Sequence, residues 1–225
     1  MTALSQGRFL RYLAAKKAID DRSINKRVWD TLREAVVSSQ PKGAIKILEA
    51  GCGIGTMIDR IIDWKPATSV LYSGVDASSE CITEAFNRLQ RLGPETGLEH
   101  VEDKSGRVTL RNREFSLTIE LIASDLFDTL SKDSTTGSWD LLMAHSFLDL
   151  VDITKAGPLF LSAVRPEGLV YFTLNFDGLT AFEPVVEKDL DEEIEQLYHE
   201  TMDKRFVKGR ATGGSRTGRS LLRVL

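Results

Sequence analysis

Residues 45–55 read Ile-Lys-Ile-Leu-Glu-Ala-Gly-Cys-Gly-Ile-Gly, and this stretch decides the fold. Its apolar first half predicts a buried strand of a parallel sheet, since such strands are covered on both faces. The three glycines that follow allow a sharp turn and a close approach of backbone to a ligand, because no Cβ intervenes. Residues 56–62 then predict a helix whose free N–H groups point back at that ligand.

The spacing of the glycines decides which kind of ligand is expected. A dinucleotide-binding fingerprint would need glycines at 51, 53 and 56, but position 56 is Thr. The phosphate-binding loop that ends in Gly-Lys-Ser/Thr is absent from the sequence. What remains, an acid followed by three alternate glycines over Glu49 to Gly55, resembles motif I of the class I S-adenosylmethionine-dependent methyltransferases. On this motif alone, the alternative of a glycine-rich turn in another kind of α/β protein stays open.

Four later segments resemble the same family in the same order. Strand-like runs end at Asp76, at Ser124-Asp125 and at His145-Ser146, and residues 164–172 resemble the turn into the fifth strand, with Glu167 where glycine is usual. Together these landmarks cover residues 45–175. The resemblance implies an α/β fold, with a doubly wound, mostly parallel Rossmann-like sheet and helices on both faces.

The resemblance also implies S-adenosyl-L-methionine as cofactor and S-adenosyl-L-homocysteine as product. Glu49 would help to hold the amino group of the cofactor, Asp76 would accept hydrogen bonds from both ribose hydroxyls, and Asp125 with the Leu126 N–H would bind adenine. Helix capping remains the alternative for both aspartates. The complete candidate set for the cofactor is Glu49, Ala50, Gly51, Cys52, Gly53, Gly55, Met57, Asp76, Ala77, Ser78, Ser124, Asp125, Leu126, His145 and Ser146.

The expected chemistry is displacement of a methyl group from a sulfonium, in which positioning supplies most of the catalysis and a base serves only acceptors that must lose a proton. His145 and Asp149 are the candidate catalytic residues, and His145 could instead merely pack against the cofactor. The sequence lacks the Asn/Asp-Pro-Pro-Tyr/Phe motif of enzymes that methylate nucleic-acid bases. The resemblance thus implies a methyltransferase that acts on an oxygen or nitrogen atom of a small molecule, with a protein side chain as the alternative acceptor.

Two amphipathic segments precede the first strand, one through Phe9 and Leu13 and one through Val28, Trp29 and Leu32, with Ser23 as the expected cap between them. We expect residues 1–40 to form a helical lid and residues 41–225 the cofactor-binding domain, separated at Pro41-Lys42-Gly43. The polar stretch from Lys17 to Asn25 is either a substrate-binding part of this lid or an ordinary capped turn. The substrate candidates are Tyr12, Lys17, Asp21 and Arg22.

Residues 99–111 alternate around a turn and predict a β-hairpin that extends the sheet. After the fifth strand, about fifty residues remain, and most of them read as helix and glycine-rich loop. The usual C-terminal hairpin of the family is thus expected to be missing, and a second copy or a partner chain would cover the exposed edge. A non-catalytic subunit that binds a partner chain therefore remains an alternative. An NAD(P)-dependent oxidoreductase is a further alternative, which the glycine spacing disfavours.

Composition narrows the classes of protein to which the chain can belong. A chain of 225 residues with 42% hydrophobic content can bury a full core, and it has no apolar run long enough to span a membrane. Its two cysteines indicate neither a disulfide framework nor a metal cluster, so a cytoplasmic location is expected. The segment from Lys204 onward carries seven basic residues and no acids. Its stretch from Lys208 to Arg219 lacks interleaved aromatic residues, which favours a solvated loop over nucleic-acid binding.

Overall fold

The computed structural model describes residues 3–39, 43–176, 178–185, 187–207 and 209–224. Its helices are α1 (Ala3–Ser23), α2 (Lys26–Ser38), α3 (Thr56–Trp64), α4 (Ser79–Thr96), α5 (Leu126–Leu130), α6 (Ile153–Ala163), α7 (Lys188–Asp203) and α8 (Thr217–Val224). Its strands are β1 (Ile45–Ala50), β2 (Ser69–Asp76), β3 (Glu99–Glu102), β4 (Val108–Arg111), β5 (Ser116–Ala123), β6 (Trp139–His145), β7 (Val164–Thr173), β8 (Phe206–Val207) and β9 (Arg210–Ala211).

A seven-stranded sheet forms the framework, in the order β3-β4-β5-β2-β1-β6-β7. Strand β1 pairs in parallel with both β2 and β6, and β2 pairs in parallel with β5. The chain order of the strands therefore reverses at β1, and in open parallel sheets ligands bind beyond the carboxyl ends of the strands at such a point. The predicted α/β fold with a mostly parallel sheet is confirmed.

The predicted hairpin insertion is also confirmed. Strands β3 and β4 pair antiparallel with Glu99 opposite Arg111, and β4 continues antiparallel onto β5. At the other edge the sheet order ends with β7, whereas β8 and β9 form a separate two-stranded sheet. Within the described ranges, no strand is hydrogen-bonded beyond β7, and the predicted lack of the C-terminal hairpin stays a prediction.

Helix α2 contributes to the same core as the sheet. Its side chains Trp29, Leu32 and Val36 are buried and pack in one cluster with Ile47 and with Tyr171, whose ring meets the Trp29 ring edge-on at 5.2 Å between centroids. Burial of each such side chain contributes roughly 1.5 to 3 kcal/mol. Residues on both sides of the predicted domain boundary at 40/41 therefore share one core. Pro41 and Lys42 themselves lie outside the described residues.

The start of α2 differs from the prediction. The Asn25 side chain, not Ser23, caps the helix by accepting a hydrogen bond from the Val28 N–H at 3.3 Å. The Ser23 hydroxyl instead donates to the Ile19 carbonyl at 3.0 Å, because α1 continues to Ser23. The polar stretch that begins at Lys17 is consequently the last part of a helix rather than a connecting turn. On α2, Val28 is exposed although its spacing placed it with the apolar face.

The chain divides into two compact units, Met1–His145 with Ala163–Tyr171, and Ser146–Ser162 with Phe172–Leu225. In the second unit, Asp203 holds the loop before α8 by accepting a hydrogen bond from the Ser215 N–H at 2.7 Å. Helix α7 has an apolar face whose side chains remain substantially exposed: Leu190, Ile194, Leu197 and Tyr198. In the described part of the chain, no helix is both long and apolar enough to cross a bilayer.

Candidate functional site

The glycine turn after β1 is built on three left-handed residues. Gly51, Gly53 and Gly55 have φ angles of 69°, 53° and 74°, a region that side chains other than glycine seldom adopt. The turn is tied to β2 because the N–H groups of Gly51 and Cys52 both donate to the Val75 carbonyl, at 2.9 and 3.1 Å. A Cβ on Gly55 would lie 3.3 Å from the Cβ of Ala85, so this glycine also lets α4 approach closely.

Asp76, at the end of β2, organises this turn. One carboxylate oxygen accepts from the Gly53 N–H at 2.9 Å and the other from the Ser78 N–H at 2.8 Å. Burial raises the pKa of Asp76, and these two backbone donors oppose the rise. A carboxylate offers about four acceptor positions, so Asp76 retains capacity for hydroxyl donors of a ligand. The Asp76 carbonyl accepts from the Ser124 N–H at 3.0 Å, which joins the carboxyl ends of β2 and β5.

Glu49 is buried, with 2% of its surface exposed, and it shares a hydrogen bond with the Tyr72 hydroxyl. Burial raises the pKa of Glu49 to about 8, against the lowering effect of that hydrogen bond, so the side chain is mostly protonated at neutral pH. The predicted contact of Glu49 with the amino group of the cofactor stays a prediction.

Sequence reasoning missed Tyr72, although its own strand, β2, carries a signal for it. A Cβ on Gly74 would lie 3.0 Å from both the Tyr72 hydroxyl and the Cys52 sulfur. A glycine inside a strand often marks a close approach of another group. Gly74 leaves the space through which the Tyr72 hydroxyl reaches Glu49.

Two of the predicted cofactor residues cap helices. The Ser78 hydroxyl accepts from the Cys81 N–H at the start of α4, and the Asp125 carboxylate accepts from the Phe127 N–H at the start of α5. The capping alternative thus holds for Asp125. For Asp76 it is wrong, because Ser78 is the N-cap of α4 and Asp76 instead accepts from the Ser78 N–H. Capping leaves further acceptor positions on a carboxylate, so the predicted adenine contact of Asp125 remains a prediction.

The other predicted cofactor residues around the turn differ in accessibility. Ala50 and Met57 have no exposed surface, so their side chains belong to the core, and Leu126 is buried as well. Ala77 is exposed. Leu13 of α1 lies over the turn, since a Cβ on Gly53 would be 3.8 Å from Leu13 Cδ1.

An ion-pair network joins α1 to α3 and α4, and it contains two of the four predicted substrate residues. Lys17 Nζ lies 2.7 Å from an Asp21 oxygen and 3.5 Å from Asp59 Oδ2. Asp21 also accepts from Arg60 Nε at 2.7 Å, and Asp59 pairs with Arg88 at 2.7 Å. Sequence reasoning identified Lys17 and Asp21 but missed their partners, because the partners lie tens of residues away.

The remaining two predicted substrate residues lie at the surface of α1. Tyr12 is 56% exposed and stacks against the ring of Phe9. Arg22 is exposed as well. The described ion pairs bring neither residue to the glycine turn, so their substrate roles stay predictions without a contact in the structure to support them.

His145, at the end of β6, has 9% of its side chain exposed and lies beside α1. Asp20 Oδ2 lies 3.6 Å from its Nε2, and Asp20 itself pairs with Lys16 at 2.5 Å. Burial, followed by the positive charge of Arg60, lowers the pKa of His145 to about 4 although Asp20 acts in the opposite direction. A group with so low a pKa is a weak general base at neutral pH. The geometry favours the alternative in which His145 is a neutral packing and hydrogen-bonding group.

Ser146 and Asp149 belong to the second unit. Ser146 has a φ of 53°, unusual for a residue with a side chain, and its N–H donates to the Thr173 carbonyl at 3.0 Å. Asp149 Oδ1 is buried without a hydrogen-bond partner among the described residues, and the Asp149 carbonyl accepts from Arg205 at 3.0 Å. The predicted catalytic role of Asp149 stays a prediction.

A cavity of about 440 Å³ lies at the opposite end of the sheet. It is lined by residues at the amino ends of β2 and β5, among them Ser69 and Phe115, together with Val36 and Lys65. The ligand site predicted from the glycine turn lies at the carboxyl ends of the strands, so this cavity is a separate feature.

No protein-family model matches the chain, and no curated protein matches it. Among solved structures, a geranyl diphosphate methyltransferase in complex with GPP and sinefungin is 13% identical, with a TM-score of 0.49, and the match covers 87% of this chain and 55% of that one. The geranyl diphosphate C-methyltransferase of Streptomyces coelicolor A3(2) is 11% identical, with a TM-score of 0.49, covering 88% and 59%. A SAM-dependent methyltransferase from Aquifex aeolicus is 13% identical, with a TM-score of 0.41, covering 78% and 81%.

These solved structures are methyltransferases, the class that the sequence resemblance predicted. The chain spans little more than half the length of the two geranyl diphosphate methyltransferases that it matches, 55% and 59%. These TM-scores are below 0.5, so the strand order defines the fold and the glycine turn carries the functional proposal.

Proposed function

We propose that the chain binds S-adenosyl-L-methionine and transfers its methyl group to an acceptor. The observation that carries the proposal is the hydrogen bond from the Gly53 N–H to the Asp76 carboxylate, at 2.9 Å. It joins a turn of three left-handed glycines at the end of β1 to an acid at the end of β2. In the family that the sequence resembles, these are the positions that hold the methionine portion and the ribose of this cofactor.

The residues present fit such a cofactor. At the turn, a Cβ on Gly53 would occupy open space as far as Leu13, 3.8 Å away, and space next to a glycine backbone admits close contact with a ligand. Asp76 would accept from the ribose hydroxyls with its remaining acceptor positions, and the Leu126 N–H would serve adenine. When bound, the cofactor supplies an electrophilic methyl group on a good leaving group. Leu13 and the rest of α1 would limit the access of water.

We propose a small molecule with an oxygen or nitrogen nucleophile as the acceptor. The polar groups at the carboxyl end of β6 support this, since His145 is neutral and can donate or accept one hydrogen bond. A base of low pKa suits acceptors that need little help in losing a proton. An acceptor that is already nucleophilic at neutral pH therefore fits the site better than one that must be deprotonated.

Isothermal titration calorimetry with S-adenosyl-L-homocysteine and with NADH tests the cofactor. The proposal expects saturable binding of S-adenosyl-L-homocysteine and none of NADH. Saturable binding of NADH alone would overturn the proposal in favour of the oxidoreductase alternative. A metabolite extract incubated with the protein and methyl-labelled cofactor then tests transfer, with the Gly53→Val variant as the matched control for label acquired without the site.

A non-catalytic subunit that binds a partner chain is the second candidate. The apolar face of α7 favours it, because Leu190, Ile194 and Leu197 are 46%, 43% and 55% exposed. Exposed apolar patches of this kind often mark protein interaction sites. A purified chain that binds S-adenosyl-L-homocysteine and transfers label while monomeric in light scattering would exclude this candidate.

A further inference from the structure

Arg60 is an unusual residue for the core of a helix that packs on a sheet. Only 2% of its side chain is exposed, so its guanidinium is removed from water. Its Nε donates to Asp21 at 2.7 Å and its Nη1 to the Thr56 hydroxyl at 3.4 Å. Its Nη2 is buried and has no hydrogen-bond partner among the described residues. A buried cationic donor without a partner is costly, which points to a missing acceptor.

The Arg60 guanidinium reaches back to the first residue of α3, which directly follows the glycine turn. The contact with Thr56 shows that the Arg60 side chain folds back toward the start of α3, and Thr56 directly follows Gly55. This is the usual direction of a long side chain on a helix. The positive charge of Arg60 lowers the pKa of both Glu49 and His145, so the guanidinium lies near the ends of β1 and β6.

The charges around Arg60 do not balance. Asp21 is shared between Arg60 and Lys17, and Asp59 is shared between Lys17 and Arg88. The network therefore holds three cations and two anions.

Three described groups near Arg60 do not supply the missing negative charge at neutral pH. Glu49 is mostly protonated with a pKa of about 8, His145 is neutral with a pKa of about 4, and Asp20 pairs with Lys16. One positive charge in a partly buried cluster remains for an anion.

We propose that Arg60 binds the carboxylate of the amino-acid portion of the cofactor, with Nη2 as a donor. This inference rests on the proposed function, which places the methionine portion at the glycine turn. A guanidinium with one free edge is suited to a carboxylate, because its N–H groups lie in a fixed plane. Arg60 is thus assigned a binding role in addition to its ion pair with Asp21.

The ligand pair that tests this inference differs only in the carboxylate. S-adenosyl-L-homocysteine and its decarboxylated analogue share the adenosine, the thioether and the amino group. For the wild-type protein, calorimetry should give an affinity about ten- to a hundredfold higher for S-adenosyl-L-homocysteine, the range for a hydrogen bond to a charged group. The Arg60→Met variant should bind both ligands with equal, low affinity.

Two further variants separate binding from folding. Arg60→Met combined with Asp21→Asn removes both partners of the ion pair, so no uncompensated charge stays buried, and it should also lack the preference. Arg91→Met is the matched control, since Arg91 is 60% exposed on α4, and it should keep the wild-type preference.

Equal affinity of the two ligands for the wild-type protein would overturn the inference whether or not the variants fold. A folded Arg60→Met variant that still prefers the intact ligand would overturn it too. In both cases binding of S-adenosyl-L-homocysteine would leave the proposed function standing. Failure of the wild-type protein to bind that ligand at all would instead reject the proposed function, and the inference with it.

Discussion

Replacement of Glu49 by Gln removes an ionisable group that the folded chain holds away from water. Burial raises the pKa of Glu49 from its ordinary value of 4.5 to about 8. Between these two values the unfolded chain releases the proton and the folded chain keeps it. The folded state then binds one more proton than the unfolded state, so stability falls as the pH rises.

The loss of stability per pH unit follows from the difference of one proton between the folded and unfolded states. The free energy of unfolding falls by about 1.4 kcal/mol per pH unit between roughly pH 5 and pH 8, and by on the order of 4 kcal/mol over that range. Gln has the same shape, accepts the hydrogen bond from Tyr72 and does not titrate. The free energy of unfolding of Glu49→Gln, relative to wild type, should therefore increase with pH.

Urea unfolding followed by tryptophan fluorescence at pH 5.5, 6.5 and 7.5 measures this difference. Glu99→Gln is the matched control: Arg111 holds the pKa of the exposed Glu99 below its ordinary range, so Glu99 stays ionised at these pH values. Its difference from wild type should not change with pH. A Glu49→Gln difference that is equally flat would refute the reasoning, since Glu49 would then be ionised in the folded protein.

Three other substitutions test the cofactor site and the ion-pair network beside it. Gly53→Val should abolish binding of S-adenosyl-L-homocysteine. It should also lower the free energy of unfolding by about 1 to 3 kcal/mol, because a branched residue is strained at a φ of 53°. Wild-type affinity of this variant in calorimetry would contradict the proposed site. Asp76→Ala removes the acceptor of the Gly53 N–H and should weaken that binding by about 1.5 to 3 kcal/mol. Unchanged affinity in a folded variant would remove Asp76 from the site. Lys17→Ala should lower the free energy of unfolding by about 1 kcal/mol or less, since Lys17 is partly exposed. The matched control Arg22→Ala should leave the free energy of unfolding unchanged. Equal effects of the two substitutions in thermal unfolding would show that the ion-pair network does not stabilise α1.

The strands along the chain and the glycine turn could be predicted because their signals are local. An apolar run followed by glycines at 51, 53 and 55 specifies a strand and a turn without reference to the rest of the chain. The hairpin of β3 and β4 was predictable for the same reason. Position 167 was recognised as a departure from the family, and the structure keeps Glu167 in the left-handed region, with a φ of 62°. The local backbone there is the one that glycine usually supplies.

The partners of buried polar groups could not be predicted, since they depend on how distant segments pack. Nothing near Asp21 in the sequence indicates Arg60, and the spacing of Lys17 to Asn25 fits a helix end as well as a turn. The lid hypothesis shows the same difficulty. Residues 1–40 were expected to be separable, but Trp29 of α2 is a buried part of the core, so their deletion is now expected to destabilise the sheet.

The missing side chain of Gly74 makes three positions depend on one another. Any Cβ at 74 would meet the Tyr72 hydroxyl and the Cys52 sulfur, both 3.0 Å away. A Cβ at 74 would force both neighbours to move by a few tenths of an ångström, which would disturb the hydrogen bond between Tyr72 and Glu49. We therefore expect a residue larger than glycine at 74 to be accompanied by a change at 72, so that positions 49, 72 and 74 vary as a set among sequences that share this turn.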